Sequence, residues 1–392
     1  METTQTLQWS EDGQPHAARW HSERGAPVPQ RIVVADDAMT ADHAYGLACQ
    51  GTALLWRGDF QNARQMLNAL ASRADRPARK AKRPAPGPFA DVRLGTPAMA
   101  QAFHLERQAR SQRARTLGML LVRLGADYGI DLRRAPDLRQ ACEEAYGPAQ
   151  EPMVVSLREL LGVVGAHEWR RTGIEIPAAG GRIHPHYGVF APVRREYVDL
   201  IAQAPLPAAA RGPDGVAFDI GTGTGVLAAV LARRGIVRVV ATDHDARALA
   251  CARANIEQLG LRERVEVAAA DLFPEGRAAV VLCNPPWVPG RPSSPLEYGV
   301  YDPESRMLRT FLAGLSAHLA PGGEGWLILS NLAEHLGLRT RAELMTMIEG
   351  ASLRVLARAD VRPTHPKAAD ATDPLHAARA AEVTSLWRLA VQ

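Results

Sequence analysis

The chain has 392 residues, enough for two domains with separate cores, and 46% hydrophobic with 22% charged residues is the balance of a globular protein, not a disordered or fibrous one. Residues 1–13 are polar, so no signal peptide is expected, and the most apolar long stretch (216–232) is broken by Asp219 and glycines, which excludes a membrane span there. The net charge of +4 hides an uneven distribution, with 14 Lys/Arg against five Asp/Glu between Arg73 and Arg134, a footprint suited to an anionic partner or to a solvated helix face.

In chain order, Phe60, Ala63, Met66, Leu67 and Leu70 recur at helical spacing, which predicts a helix over 60–71. Residues 73–88 hold four prolines among six basic residues and read as a linker or exposed loop. A long helix is expected over 97–124, and another from Ser156, where Ser156-x-x-Glu159 has the form of a capping box. These patterns predict a mainly helical N-terminal domain over 1–172, with substrate recognition as its role. Ile174–Ile176, Gly180-Gly181 and Arg182–His184 then read as strand, turn and strand, so 173–192 is expected to be a β-hairpin linker.

From 193 to 392 strands and helices alternate. Strands are expected near 216–220, 237–242, 265–268, 279–283 and 326–330, and helices near 226–234, 246–259, 304–319 and 341–349. That order predicts a doubly wound, mostly parallel α/β sheet. The chain closes on two β-rich segments, 353–361 and 383–391, expected as an antiparallel pair at the sheet edge. The four cysteines have neither disulfide nor metal-ligand spacing, as expected for a cytoplasmic protein. The His184-Pro-His186 pair has no third ligand candidate nearby and reads as structural, so no metal is expected.

Asp219-Ile-Gly221-Thr222-Gly223-Thr-Gly225 stands where the first of these strands gives way to a helix. Glycines there let the backbone turn tightly and approach a ligand. The Gly-x-Gly-x-Gly spacing and the preceding carboxylate disfavour a pyrophosphate-bearing dinucleotide, and hence an NAD enzyme, and suit a cationic ligand with an amino group. Asp243 ends the second strand, where a carboxylate can accept from both ribose hydroxyls. Asp271 ends the third, placed to take an adenine amino proton while Leu272 covers the ring. These residues resemble the class I S-adenosylmethionine-dependent methyltransferases over about 189–392. The resemblance implies a seven-stranded Rossmann-like sheet with an antiparallel terminal strand. It also implies S-adenosylmethionine as cofactor, with Asp219 and Gly221 near its methionyl part, Asp243 at the ribose and Asp271 at the adenine.

Cys283-Asn284-Pro285-Pro286-Trp287 ends the fourth strand. An amide or exocyclic amine nitrogen is a poor nucleophile because its lone pair is delocalised. The Asn284 side-chain oxygen and the Pro285 carbonyl can accept from both of its N–H groups, aiming the lone pair at the methyl group. Pro285 and Pro286 stiffen those acceptors, and Trp287 offers a flat face to a planar target. The pattern resembles that of the amino-methyltransferases of release-factor glutamines, of adenine N6 and of rRNA guanine N2. The glutamine enzymes are similar in organisation too, but Val193-Arg194-Arg195 stands where they carry Pro and Thr-Glu, and Trp287 where they carry Tyr. The expected function is methyl transfer to nitrogen of a macromolecule, a translation-related protein or rRNA or DNA, with possible nucleic-acid contact between Arg73 and Arg134. The alternatives are a catalytically silent RNA-binding protein of the same fold and a methyltransferase of a small-molecule amine. Residues 288–301, rich in Pro and Gly, are a candidate lid.

Overall fold

The computed structural model describes residues 5–75, 92–363, 370 and 373–392. The chain divides into two compact units, one of residues 1–85 and 105–168, the other of 86–104 and 169–392. Most of the expected linker (76–88) lies outside the described residues.

The first unit corrects the expectation of a mainly helical domain. Its elements are β1 (Thr6–Glu11), β2 (Gln14–Trp20), β3 (Arg31–Ala35), α1 (Ala41–Cys49), β4 (Thr52–Trp56), α2 (Phe60–Ala74), α3 (Pro97–Gly118), β5 (Leu120–Leu124), α4 (Arg139–Tyr146), β6 (Met153–Ser156) and α5 (Leu157–Thr172). The divisions between the units fall within α3 and within α5. Six strands form a mixed sheet in the order β1-β2-β6-β5-β4-β3. The central strands escaped the sequence reading because both sheet faces are covered there. All five residues of β4 are buried, Leu54 and Trp56 in one apolar cluster and Ala53 and Leu55 in the other. A strand buried on both faces loses its alternation and cannot be told from a buried helix by periodicity. For the same reason the helix expected over 97–124 stops at Gly118, and Leu120–Leu124 enters the sheet. α2 follows the expected spacing, burying Phe60, Ala63, Met66, Leu67 and Leu70. The Ser156 capping box is half present. Ser156 accepts from the Glu159 N–H at 3.1 Å, while the Glu159 carboxylate accepts from the Glu23 N–H.

The second unit begins with the antiparallel pair β7 (Ile174–Ile176) and β8 (Gly181–Ile183), joined by a short 3-10 turn. Then come α6 (Glu196–Gln203), β9 (Val216–Ile220), α7 (Val226–Arg233), β10 (Arg238–Asp243), α8 (Ala246–Gln258), β11 (Val265–Ala269), β12 (Ala278–Cys283), α9 (Arg306–His318), β13 (Leu319–Ser330), α10 (Leu332–His335), α11 (Arg341–Gly350), β14 (Leu353–Val361), α12 (His376–Ala380) and β15 (Thr384–Val391). The seven-stranded sheet runs β11-β10-β9-β12-β13-β15-β14 and is parallel except for β15, which lies antiparallel between β13 and β14. Apolar clusters cover both faces, and β12 feeds both, with Val280 and Leu282 on one side and Val281 and Cys283 on the other.

The strand order positions the site. From β9 the chain winds outward through β10 to β11, then returns to β12 on the other side of β9. The crossovers reverse direction between β9 and β12, and a cleft opens at the carboxyl ends of the strands beside such a reversal. The segments that follow β9, β10, β11 and β12 all emerge at that edge.

Candidate active site

The glycine loop is held by a buried carboxylate. Asp219, 1% exposed in β9, accepts at Oδ2 from the Thr222 hydroxyl at 2.6 Å and from the Ala228 N–H at 3.0 Å. Burial pushes this carboxyl up to about 6, against the lowering effect of those two donors, and the charge of Asp243 pushes the same way as burial. One oxygen of Asp219 is therefore committed to tying the loop to the first turn of α7, a structural task beside the ligand role expected from the sequence.

The rest of the expected cofactor set converges on this loop. The Thr222 N–H donates to the Thr242 carbonyl at 2.8 Å, and the Gly223 N–H donates to Asp243 Oδ2 at 3.0 Å. Asp243 Oδ1 accepts from the Asp245 N–H at 3.0 Å, and Asp245 caps α8 through the Arg247 N–H at 2.7 Å. Asp271 is exposed just past the end of β11. Leu272 holds φ +75°, a left-handed conformation that costs a branched residue about 1–2 kcal/mol, and its carbonyl accepts from the Thr242 hydroxyl at 2.6 Å.

The loop glycines divide into two kinds. Gly225 (φ +79°) lies against α8, where an added Cβ would stand 3.3 Å from Cα and Cβ of Ala252. Gly223 (φ +55°) faces open space, with nothing within 4 Å of an added Cβ. Gly221 is exposed, and its neighbour is the tip of the Met307 side chain at the start of α9. A cradle open at Gly223 and flanked by half-buried Asp243 and exposed Asp271 fits a nucleoside bearing a charged amino-acid tail.

The amine-holding motif leaves the adjacent strand. In the β9–β12 register Cys283 lies opposite Ile220, so Asn284 and Gly221 emerge side by side. Cys283 is fully buried, and burial raises its thiol well above the ordinary range, which fits a core residue and not a nucleophile. Pro285 is buried, whereas Asn284, Pro286 and Trp287 are half-buried. The Trp287 indole N–H donates to Asn284 Oδ1 at 2.8 Å.

Sequence reasoning missed what lies on Trp287. The Arg194 guanidinium sits over its ring, 5.3 Å from the centroid. Arg194 in turn donates to Glu382 at 3.1 Å and pairs with Glu196 at 3.5 Å. Glu382 also accepts from the Ser330 hydroxyl at 2.7 Å. No local signal could have linked positions 194, 287 and 382, because only the sheet brings them together.

Residues 288–301 are tied at both ends. The Val288 N–H donates to the Val300 carbonyl at 3.2 Å, and the Asp302 N–H donates to the Val288 carbonyl at 3.0 Å. Asp302 caps α9 by accepting from the Met307 and Leu308 N–H groups. His184 is engaged on both ring nitrogens, by the Arg170 carbonyl and by Gln258. Within the first unit, five of the arginines between Arg73 and Arg134 form ion pairs: Arg73 with Asp42, Arg110 with Glu106, Arg113 with Asp75, Arg133 with Asp37 and Arg134 with Asp59. Three of these partners, Asp42, Asp37 and Asp59, lie outside the basic stretch and offset part of its excess. No helix among the described residues is long and apolar enough to cross a membrane.

Comparison with known proteins finds similarity over this part of the chain. Residues 180–348 match the family described as Methyltransferase small domain. A release factor glutamine methyltransferase of Cereibacter sphaeroides is 36% identical over 124 residues, 31% of this chain and 41% of the relative. Another, of Gloeobacter violaceus, is 29% identical over 225 residues, covering 53% of this chain and 71% of the relative. Ribosomal RNA small subunit methyltransferase C of Sodalis glossinidius is 34% identical over 140 residues, 35% of this chain and 36% of the relative. The chain thus spans about two fifths of the length of the first of these relatives. Residues 180–348, which the family model matches, hold the glycine loop and the strands β9 to β13 that flank it.

Proposed function

We propose that the protein transfers a methyl group from S-adenosylmethionine to an amide or exocyclic amine nitrogen of a macromolecule of the translation apparatus. The observation that carries the reading is the emergence of Asn284 and Gly221 from adjacent, paired strands, which sets an amine-holding motif beside the glycine loop. When bound, S-adenosylmethionine supplies an electrophilic methyl group on a sulfonium. Asp243 and Asp271 flank the loop at the positions for the ribose and the adenine, and the Gly223 N–H holds Asp243 in place. Asn284 Oδ1 and the Pro285 carbonyl accept from the two N–H groups of the target, so its lone pair faces the methyl carbon. A nitrogen–carbon bond forms as the carbon–sulfur bond breaks, the sulfur keeps the electron pair, and the extra nitrogen proton passes to solvent. Acceptors fixed before the reaction stabilise the positive charge growing on nitrogen without reorganising.

The named relatives act on a release-factor glutamine and on small-subunit ribosomal RNA. We infer an acceptor of this kind, in the cytoplasm. The test adds tritium-labelled S-adenosylmethionine and purified protein to an extract of cells lacking the gene, then separates protein, RNA, DNA and small molecules. Label should enter a macromolecular fraction with wild type and be lost with Asn284→Ala. Label in the small-molecule fraction alone, or none despite cofactor binding, refutes the proposal. A nucleic-acid acceptor would also show binding that weakens steeply and linearly in log salt.

A further inference from the structure

We propose that Arg194 is a positioning residue for the transfer: stacked on Trp287, it holds the indole N–H on Asn284 and so fixes which way the Asn284 amide faces. The inference rests on the reading above, in which Asn284 Oδ1 receives the target amine. A side-chain amide can present either its oxygen or its NH₂ to a given direction. Were the NH₂ to face the target, two donors would confront each other. The Trp287 indole N–H is a donor only, so its 2.8 Å bond requires Oδ1, not the NH₂, on that side of Asn284. The oxygen has two lone pairs, and one remains for the target. A tyrosine or phenylalanine ring could stack on a planar target but carries no N–H with which to set the amide in this way.

The ring packs against three apolar clusters, and Arg194 adds a polar restraint from outside. Its guanidinium covers one face of Trp287 at 5.3 Å from the centroid, within the range of cation–π attraction. Glu382 and Glu196, 3% and 7% exposed, restrain the guanidinium, and Ser330 restrains Glu382. A chain of contacts therefore runs from β13 through Glu382, Arg194 and Trp287 to Asn284.

Removing Arg194 altogether would strand two buried carboxylates and could unfold the protein, so the test uses Arg194→Lys, which keeps the charge but loses the flat stacking surface. Trp287→Phe keeps a ring and loses the N–H. The first readout is the set of indole N–H resonances of the seven tryptophans, where the Trp287 signal is the one that Trp287→Phe removes. That signal should move in Asn284→Ala, and its exchange with solvent should rise severalfold in Arg194→Lys. The second readout is label transfer to the extract fraction that wild type modifies. Arg194→Lys and Trp287→Phe should each lower kcat about tenfold with S-adenosylmethionine binding unchanged, and the double variant should be no worse than Trp287→Phe alone. Indole exchange indifferent to Arg194→Lys, or a double variant about a hundredfold down, would overturn the proposal. If wild type labels no fraction, the functional reading fails, and the indole exchange still decides whether Arg194 positions Trp287.

Discussion

Two glycines of one loop, two residues apart, should respond differently to the same substitution. Both hold left-handed φ, +55° at Gly223 and +79° at Gly225, so alanine at either position carries about 1–2 kcal/mol of backbone strain. At Gly225 the new methyl would also stand 3.3 Å from Cα and Cβ of Ala252. Neither atom can swing aside as the end of a flexible side chain can, so α8 must shift, at a further cost of about 1–3 kcal/mol for overpacking. Gly225→Ala should therefore lose about 2–5 kcal/mol in all. Gly223→Ala meets nothing within 4 Å and should lose only the backbone strain, about 1–2 kcal/mol. Its methyl, however, projects into the open cradle and should weaken S-adenosylmethionine binding at least tenfold. Urea unfolding with a check that m is unchanged measures the first quantity, and calorimetric titration with S-adenosylmethionine the second. A Gly223→Ala protein that binds like wild type would remove the cofactor from the face of the loop assigned to it. A Gly225→Ala protein as stable as wild type would show that α7 and α8 are not packed as described.

Further perturbations test the scaffold. Because the Asp219 carboxyl is raised from 3.8 to about 6 in the fold, the folded state holds this proton more tightly than the unfolded chain. Wild-type stability should then fall relative to Asp219→Asn as pH rises from about 4 to about 6 and run parallel above that, a difference of up to about 3 kcal/mol. Urea midpoints at pH 4.5 and 7.5 read this, and a gap that widens in the opposite direction contradicts it. Arg388→Ala leaves the buried Glu324 without its two-pronged partner at 2.6 and 2.7 Å and should cost about 3–5 kcal/mol, most of it recovered when Glu324→Gln is added. Thr242→Val removes the 2.6 Å bond to the Leu272 carbonyl. It should lose about 1 kcal/mol of stability, with faster amide exchange at 270–273 as the accompanying sign.

Much of the second unit and its site could be read from residue order alone, because the signals there are local. A glycine loop beside Asp219, a carboxylate at the end of each of the next two strands, and Asn284-Pro285-Pro286-Trp287 at the end of the following one are short patterns with steric or hydrogen-bonding causes. Helix starts were legible for the same reason: Asp245 caps α8 through a neighbour two residues away. The central strands of the first unit were not, since Thr52–Trp56 is buried on both faces and Leu120–Leu124 is buried except at Arg123, which leaves little alternation to mark them. Nor could the sequence reveal that β15 enters the sheet between β13 and β14, because strand pairing is a choice among distant partners. The same holds for the state of the site. That Asp219 is desolvated and that Arg194 lies over Trp287 and reaches Glu382 depend on residues distant in the chain meeting, while the Trp287–Asn284 bond, though local, takes its direction from the fold. Local chemistry names the candidate residues; burial and long-range contact assign their charge, their orientation and their partners.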